Sequence, residues 1–245
     1  MPISHPTVII TGASRGIGRA AALYFAEKGC RLSLICHKNQ QQLEQVSRLI
    51  TDMGCTCLTF TADVADYEAV ACVFKQTAAL FGPVDILINN AGISYVGLFT
   101  DMKPVDWQRL IKTNIEGVFN CCHLAVPEMV RRQSGRIINI SSVWGSVGAS
   151  CEAVYSATKG AINSFTKALA KELAPSHIPV NALACGAIDT QMNQFLSEEE
   201  RQMLIDEIPA CRMGLPREAA ELIWQIAQAP EYMTGQIITL DGGWL

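Results

Sequence analysis

Short β-rich runs alternate along this chain with longer stretches of helical periodicity, and that alternation restricts the fold more than any other feature. The strand candidates are Thr7 to Thr11, Arg31 to Ile35, Cys57 to Ala62, Asp85 to Asn89, Arg136 to Ser141, Val180 to Ala184 and Gln236 to Leu240. Helical patterns fall between them near residues 17–28, 40–53, 66–81, 104–132, 155–173 and 216–229. A strand that returns to its sheet through a helix runs parallel to its predecessor, and a parallel sheet must be covered on both faces. The expectation is an α/β fold: a doubly wound parallel sheet of seven strands with helices on both faces, formed as a single domain over residues 1–245. The stretch 187–210 is the least regular, and a substrate loop or lid is expected there.

Composition narrows the function. Hydrophobic residues make up 49% of the chain, yet no uninterrupted apolar run reaches the roughly 18 to 20 residues that a membrane helix needs. The opening MPISHPTVII lacks the basic and apolar regions of a signal peptide, so a cytoplasmic protein without membrane contact is expected. In that compartment the ten cysteines should stay reduced. None are spaced CxxC, and His5, His37, His123 and His177 are scattered, so no metal site is expected. A net charge of −4 without a basic run gives no attraction to nucleic acid.

In a doubly wound sheet, ligands bind beyond the carboxyl ends of the strands, so the residues just after each strand are the candidates. The first strand is followed by TGASRGIG, with Gly12, Gly16 and Gly18 running into a helix. Glycines permit a tight turn and close backbone approach, and the helix amino terminus offers unpaired N–H groups to a pyrophosphate. The second strand ends LICHKN. An NAD-binding chain carries a carboxylate there for the ribose hydroxyls, whereas Cys36, His37 and Lys38 stand here, with Arg15 as a further cation in the glycine turn. NADP(H) is therefore the expected cofactor. Asp63 and Val64 follow the third strand, where a short carboxylate can accept from an adenine amino group while Asp66 caps the next helix. Asn90, Ala91 and Gly92 follow the fourth strand and bring small residues and amides to the same edge.

Tyr155 and Lys159 stand four residues apart, one above the other on a helix face. A tyrosine with a pKa near 10 would need an adjacent cation to favour its anion, and Lys159 is placed to supply it.

As a set, TGASRGIG, Asp63–Val64, NNAG, Asn114 in KTNIEG, NISS with Ser142, YSATK and ACGAIDT resemble the short-chain dehydrogenase/reductase family, in the family's order. The resemblance implies a Rossmann-like fold, an NADP-dependent oxidoreductase acting on CH–OH and C=O groups, and a catalytic group of Asn114, Ser142, Tyr155 and Lys159. Tyr155 would donate a proton to the substrate oxygen, Ser142 would hold that oxygen, Lys159 would also bind the nicotinamide ribose, and Asn114 would anchor a relay water. Cofactor contacts are implied at Gly12, Ser14, Arg15, Gly16, Ile17, Gly18, His37, Lys38, Asp63, Val64, Asn90, Ala91, Gly92, Tyr155, Lys159, Gly186, Ile188 and Thr190. A homotetramer built on helices 104–132 and 155–173 with a carboxyl-terminal contact is implied as well.

Within the family, length, glycine turn and the ending TGQIITLDGGW are similar to bacterial 3-oxoacyl-acyl-carrier-protein reductases of fatty acid biosynthesis. Two positions depart. Cys185 replaces the family's proline, which is expected to leave that loop more mobile, and Gln133 and Ser176 stand where such enzymes carry basic residues for an acidic carrier, with Arg131 and Arg132 as possible substitutes. A second subgroup, the reductases of a 5-aminopentanone modification on a lysine of elongation factor P, is similar around GASCEAVYSATKG and GAIDTQMN. Glu152 could pair with the amine of such a substrate. A regulator that binds NADP without turnover is the third reading, and the presence of all four catalytic residues opposes it.

Overall fold

The computed structural model describes residues 5–194 and 196–245. In chain order the elements are β1 (Thr7–Thr11), α1 (Gly16–Glu27), β2 (Arg31–Cys36), α2 (Gln40–Asp52), β3 (Cys57–Thr61), α3 (Tyr67–Phe81), β4 (Ile86–Asn89), α4 (Pro104–Ile111), α5 (Gly117–Arg132), β5 (Arg136–Ser142), α6 (Trp144–Val147), α7 (Ala153–Leu173), β6 (Val180–Cys185), α8 (Glu198–Glu207), α9 (Pro216–Gln228) and β7 (Ile237–Leu240). The seven strands form one sheet in the order β3-β2-β1-β4-β5-β6-β7. Every neighbouring pair is parallel. Strand order reverses between β1 and β4, and the loops after these two strands open the crevice where such sheets take ligands.

Alternation along each strand divides the core into two layers. Ile10, Leu32, Leu34 and Ile88 face α1, α2 and α9, where Phe25, Val46 and Ile223 meet them. Ile9, Ile35, Leu87 and Ile137 face α3, α5 and α7, where Val70, Met129 and Ile162 meet them. Each such aliphatic side chain taken from water stabilises the fold by about 1.5–3 kcal/mol. Polar side chains inside this core are paired with one another: the Asn89 amide donates to Asn139 Oδ1 at 2.9 Å, and the Asn139 amide donates to Thr166 Oγ1 at 2.9 Å.

Local capping follows the sequence. Asp66 accepts from the Ala69 amide at 3.1 Å and starts α3. Ser197 and Glu200 exchange bonds in a capping box that starts α8 within the irregular stretch.

One expectation changes. The pattern over 104–132 is not one helix: α4 passes into α5 through a π-helical turn at Lys112–Glu116. The wider turn rotates Asn114 inward until it is buried. Cys185, at the end of β6, is paired to Ser142 of β5 and Leu240 of β7, and its carbonyl accepts from the Val143 amide at 3.0 Å.

Among the described residues, no helix is long and apolar enough to cross a membrane. Among the same residues, no group of His, Cys, Asp or Glu is gathered as for a metal ion.

Candidate active site

The glycine turn is built by close approach. Gly12 and Gly16 take φ of +66° and +54°, which side-chain-bearing residues avoid. Gly18, on the first turn of α1, lies against the Gly12 carbonyl and the Asn90 amide so tightly that a Cβ would overlap both. α1 starts after Arg15 without a side-chain cap, leaving its first N–H groups open to an anion. Ser14 is buried beside them, and Ile17 is half-buried.

The loop after β4 is tied directly to this turn. Thr11 Oγ1 accepts from the Asn90 and Ala91 amides at 3.0 and 2.9 Å, and Asn90 Nδ2 donates to the Thr11 and Gly12 carbonyls at 2.9 and 3.1 Å. At the end of β2, Cys36 is buried while His37 and Lys38 are exposed. His37 Nε2 lies 3.7 Å from Asp63 Oδ2. Asp63 accepts from the Ala65 amide at 3.0 Å, and the Val64 carbonyl accepts from Asn120 at 2.9 Å. A carboxylate, two cations and an open helix terminus along one edge suit the adenosine and pyrophosphate of a dinucleotide.

Asn114, Ser142, Tyr155 and Lys159 converge at the adjoining end of the sheet. Asn114 Oδ1 accepts from the Ile93 amide at 2.9 Å, while its Nδ2 donates to the Ile93 carbonyl at 2.9 Å and to Thr158 Oγ1 at 3.1 Å. Gly92 passes between Asn114 and Lys159: a Cβ there would lie 3.4 Å from Asn114 Oδ1 and 3.5 Å from Lys159 Nζ. Lys159 is buried, and its ammonium donates to the Ile140 carbonyl at 2.8 Å. Burial lowers its pKa to about 8, against an upward pull from the Cys185 thiol.

Burial likewise pushes the Tyr155 hydroxyl above its ordinary range, opposed by a hydrogen bond with Ser142 and reinforced by Glu152 and Cys185. In the chain alone, Lys159 does not bring the tyrosine below its ordinary range. The desolvation of a phenolate dominates there, so Tyr155 keeps its proton at neutral pH. Ser141 faces the other side of β5 and donates to Asn163 Oδ1 at 2.6 Å.

The loop after β6 closes the site. Gly186 abuts Asp241 with no room for a Cβ, and Thr190 reaches back so that a Cβ on Gly16 would come within 3.3 Å of its methyl group. The Ile188 carbonyl is already taken by Asn193 Nδ2 at 2.8 Å, and the Thr190 hydroxyl accepts from the Met192 amide at 3.3 Å. The Cys185 thiol is buried and pushed up to about 12, an unreactive state.

Beside Tyr155 a shallow cleft is lined by Tyr95, Phe99, Met102, Cys151 and Val154. The loops 93–102 and 143–151 meet there, with the Gly97 amide donating to the Cys151 carbonyl at 2.8 Å.

Arg132 is not free to dock a carrier. Its guanidinium donates to Asp85 Oδ1 at 2.9 Å and to the Val84 carbonyl at 2.6 Å. Arg131 makes a two-pronged pair with Glu128 at 2.8 and 2.6 Å. Gln133 takes the left-handed position that ends α5, and Ser176 lies in the turn after α7.

Comparison with known proteins places this arrangement. The family profile described as short chain dehydrogenase matches residues 6–201. The chain is 40% identical over 238 residues to 3-oxoacyl-[acyl-carrier-protein] reductase FabG of Staphylococcus aureus, covering 97% of each chain. It is 37% identical over 242 residues to the oxidoreductase YmfI of Bacillus subtilis, covering 98% of this chain and 99% of the relative. The crystal structure of 3-oxoacyl-[acyl-carrier protein] reductase from Brucella melitensis superposes with a TM-score of 0.92 at 34% identity, covering 99% of this chain and 93% of that one. With near-complete coverage in sequence and structure, the chain belongs to the short-chain dehydrogenase family and is an oxidoreductase of CH–OH and C=O groups.

Proposed function

We propose that the protein is an NADPH-dependent ketone reductase of the 3-oxoacyl-[acyl-carrier-protein] reductase kind. The observation that carries this reading is the convergence of Ser142, Tyr155, Lys159 and Asn114 beside a cleft, one sheet edge away from His37 and Lys38. When bound, NADPH supplies the hydride; Gly12, Gly16 and Gly18 give its phosphates backbone access, and the exposed cations Lys38 and Arg15, beside the His37 imidazole, favour a ribose phosphate over a bare ribose.

The chain's own work concerns the proton and the oxygen. Tyr155, held protonated by burial, donates to the carbonyl oxygen of the substrate as negative charge develops on it. Ser142 Oγ gives that oxygen a second hydrogen bond. The Lys159 ammonium, fixed by Ile140, stabilises the phenolate that remains, and its other N–H groups would hold the ribose of a bound nicotinamide. Asn114, fixed by Ile93 and Thr158, anchors the water that returns a proton to Lys159. Phe119 is 41% exposed, and its ring lies 4.6 Å from Phe165 across α5 and α7. That apolar face supports a homotetramer.

A second reading is favoured by Glu152. It lies half-buried three residues before Tyr155, burial raises its pKa, and among the described residues no ion pair joins it to a cation. A carboxylate so placed suits an amine-bearing ketone such as 5-aminopentanone on a lysine of elongation factor P.

The test is NADPH oxidation, beside NADH, with an acetoacetyl thioester and with aminopentanone-modified elongation factor P. Turnover of the thioester with NADPH preferred supports the first reading. Turnover confined to the modified protein replaces it with the second, and the absence of any turnover leaves the regulator reading.

A further inference from the structure

The last residues of the chain form a device that the proton and hydride steps do not use. β7 ends at Leu240, and the Asp241 carboxylate accepts from the Gly243 and Leu245 amides at 3.0 Å each, folding the end of the chain back on itself. The fold-back requires glycine: Gly242 and Gly243 take φ of +70° and +82°. The turned segment is wedged between two walls of the site. Asp241 abuts Gly186 in the loop after β6, and the Gly242 carbonyl accepts from the Ala210 amide at 3.1 Å where the chain leaves α8.

This geometry delivers the Trp244 ring against Trp144, with centroids 4.9 Å apart and planes at 65°. Edge-to-face contact of this kind fixes both rings. Trp144 is tied to the chemistry through its backbone, whose amide donates to Ser142 Oγ at 3.2 Å.

We infer that Trp244 is a positioning and specificity-determining residue of the reductase: through Trp144 it holds the Ser142 hydroxyl in register for the ketone. The inference rests on the proposed function and assigns Trp244 no contact with the reacting atoms. It separates two binding steps. The phosphates and adenosine of NADPH would meet the glycine turn and the β2 end, whereas the ketone would meet Ser142 directly.

The experiment compares wild type with Trp244→Ala, Trp244→Phe and the exposed-residue control Leu245→Ala. It measures the NADPH dissociation constant by fluorescence and kcat and KM for the best ketone in a panel led by an acetoacetyl thioester. For Trp244→Ala the expected result is a loss of about tenfold in kcat/KM for the ketone, the scale of one aromatic pair, with NADPH binding within about twofold of wild type. Trp244→Phe should recover most of that loss, and Leu245→Ala should behave as wild type.

Unchanged ketone kinetics in Trp244→Ala would overturn the inference. So would a parallel loss of NADPH affinity, ketone turnover and melting temperature that phenylalanine does not rescue, since that pattern marks a purely structural role. A wild-type chain inactive on every ketone would sink the proposed function itself, a result visible before any variant is compared.

Discussion

The Lys159 ammonium lies 5.7 Å from the centre of the Tyr155 ring while giving a 2.8 Å hydrogen bond to the Ile140 carbonyl. The lysine is thus fixed by the sheet and not by the tyrosine, and burial disfavours the charged form of both residues.

Replacing Tyr155 by phenylalanine removes the proton donor and little else. The expected outcome is a fall in kcat of about 10²–10⁴-fold, the usual range for a positioned general acid, with NADPH binding retained. Steady-state kinetics beside a fluorescence titration check it; kcat within tenfold of wild type would remove Tyr155 from the mechanism.

Lys159 gives a pH dependence of defined sign. Its pKa falls from an ordinary 10.5 to about 8 in the fold, so between these values the unfolded chain binds more protons than the native one. The cost of burying the charge is fully present below pH 8 and is relieved as pH rises toward 10.5. That cost is on the order of 3 kcal/mol at neutral pH. Lys159→Met should therefore unfold in urea no more easily than wild type at pH 7, and wild type should gain on it as pH is raised. A wild-type advantage that shrinks with rising pH would contradict this.

Cofactor choice should move with the end of β2. Cys36→Asp introduces a carboxylate beside His37 and Lys38, repelling a ribose phosphate and accepting from a free ribose. NADPH efficiency should drop about 10–100-fold relative to NADH, equivalent to about 1.4–2.8 kcal/mol. The ratio of kcat/KM for the two cofactors measures it, and an unchanged ratio would move the discriminating contact to Arg15.

Asp85 and Arg132 predict a purely structural effect. Asp85 is 8% exposed and also accepts from the Thr7 amide at 2.8 Å, so Asp85→Ala strands that backbone N–H and leaves the Arg132 guanidinium with the Val84 carbonyl and Glu128 at 3.6 Å. A loss of about 1–3 kcal/mol in denaturant midpoint analysis is expected, with kcat little changed, because the pair lies at the end of the sheet opposite the site.

Much of this site is legible one segment at a time. The glycines of β1–α1, the missing carboxylate after β2, the NNAG loop and the Tyr155–Lys159 spacing each express a rule that acts over a few residues: backbone freedom, strand alternation or helical period. A doubly wound sheet then converts order along the chain into position at one edge, so local motifs in the right sequence suffice to locate a site.

Other features are decided by contacts between distant residues. Periodicity reads 104–132 as one helix, since a single extra residue in a turn does not alter an apolar stripe, yet that π turn buries Asn114. Arg132 reads as a surface cation until Asp85, 47 residues away in sequence, neutralises it. The direction of the Tyr155 pKa, the pairing of Trp144 with Trp244 and the cleft walls Tyr95 and Cys151 are of the same kind. The sequence by itself determined the fold class and the order of the motifs, because these follow from short-range conformational preference. Only the tertiary structure decided which charges are buried, which side chains meet and what they titrate like, because desolvation and packing depend on neighbours that the chain brings together from afar.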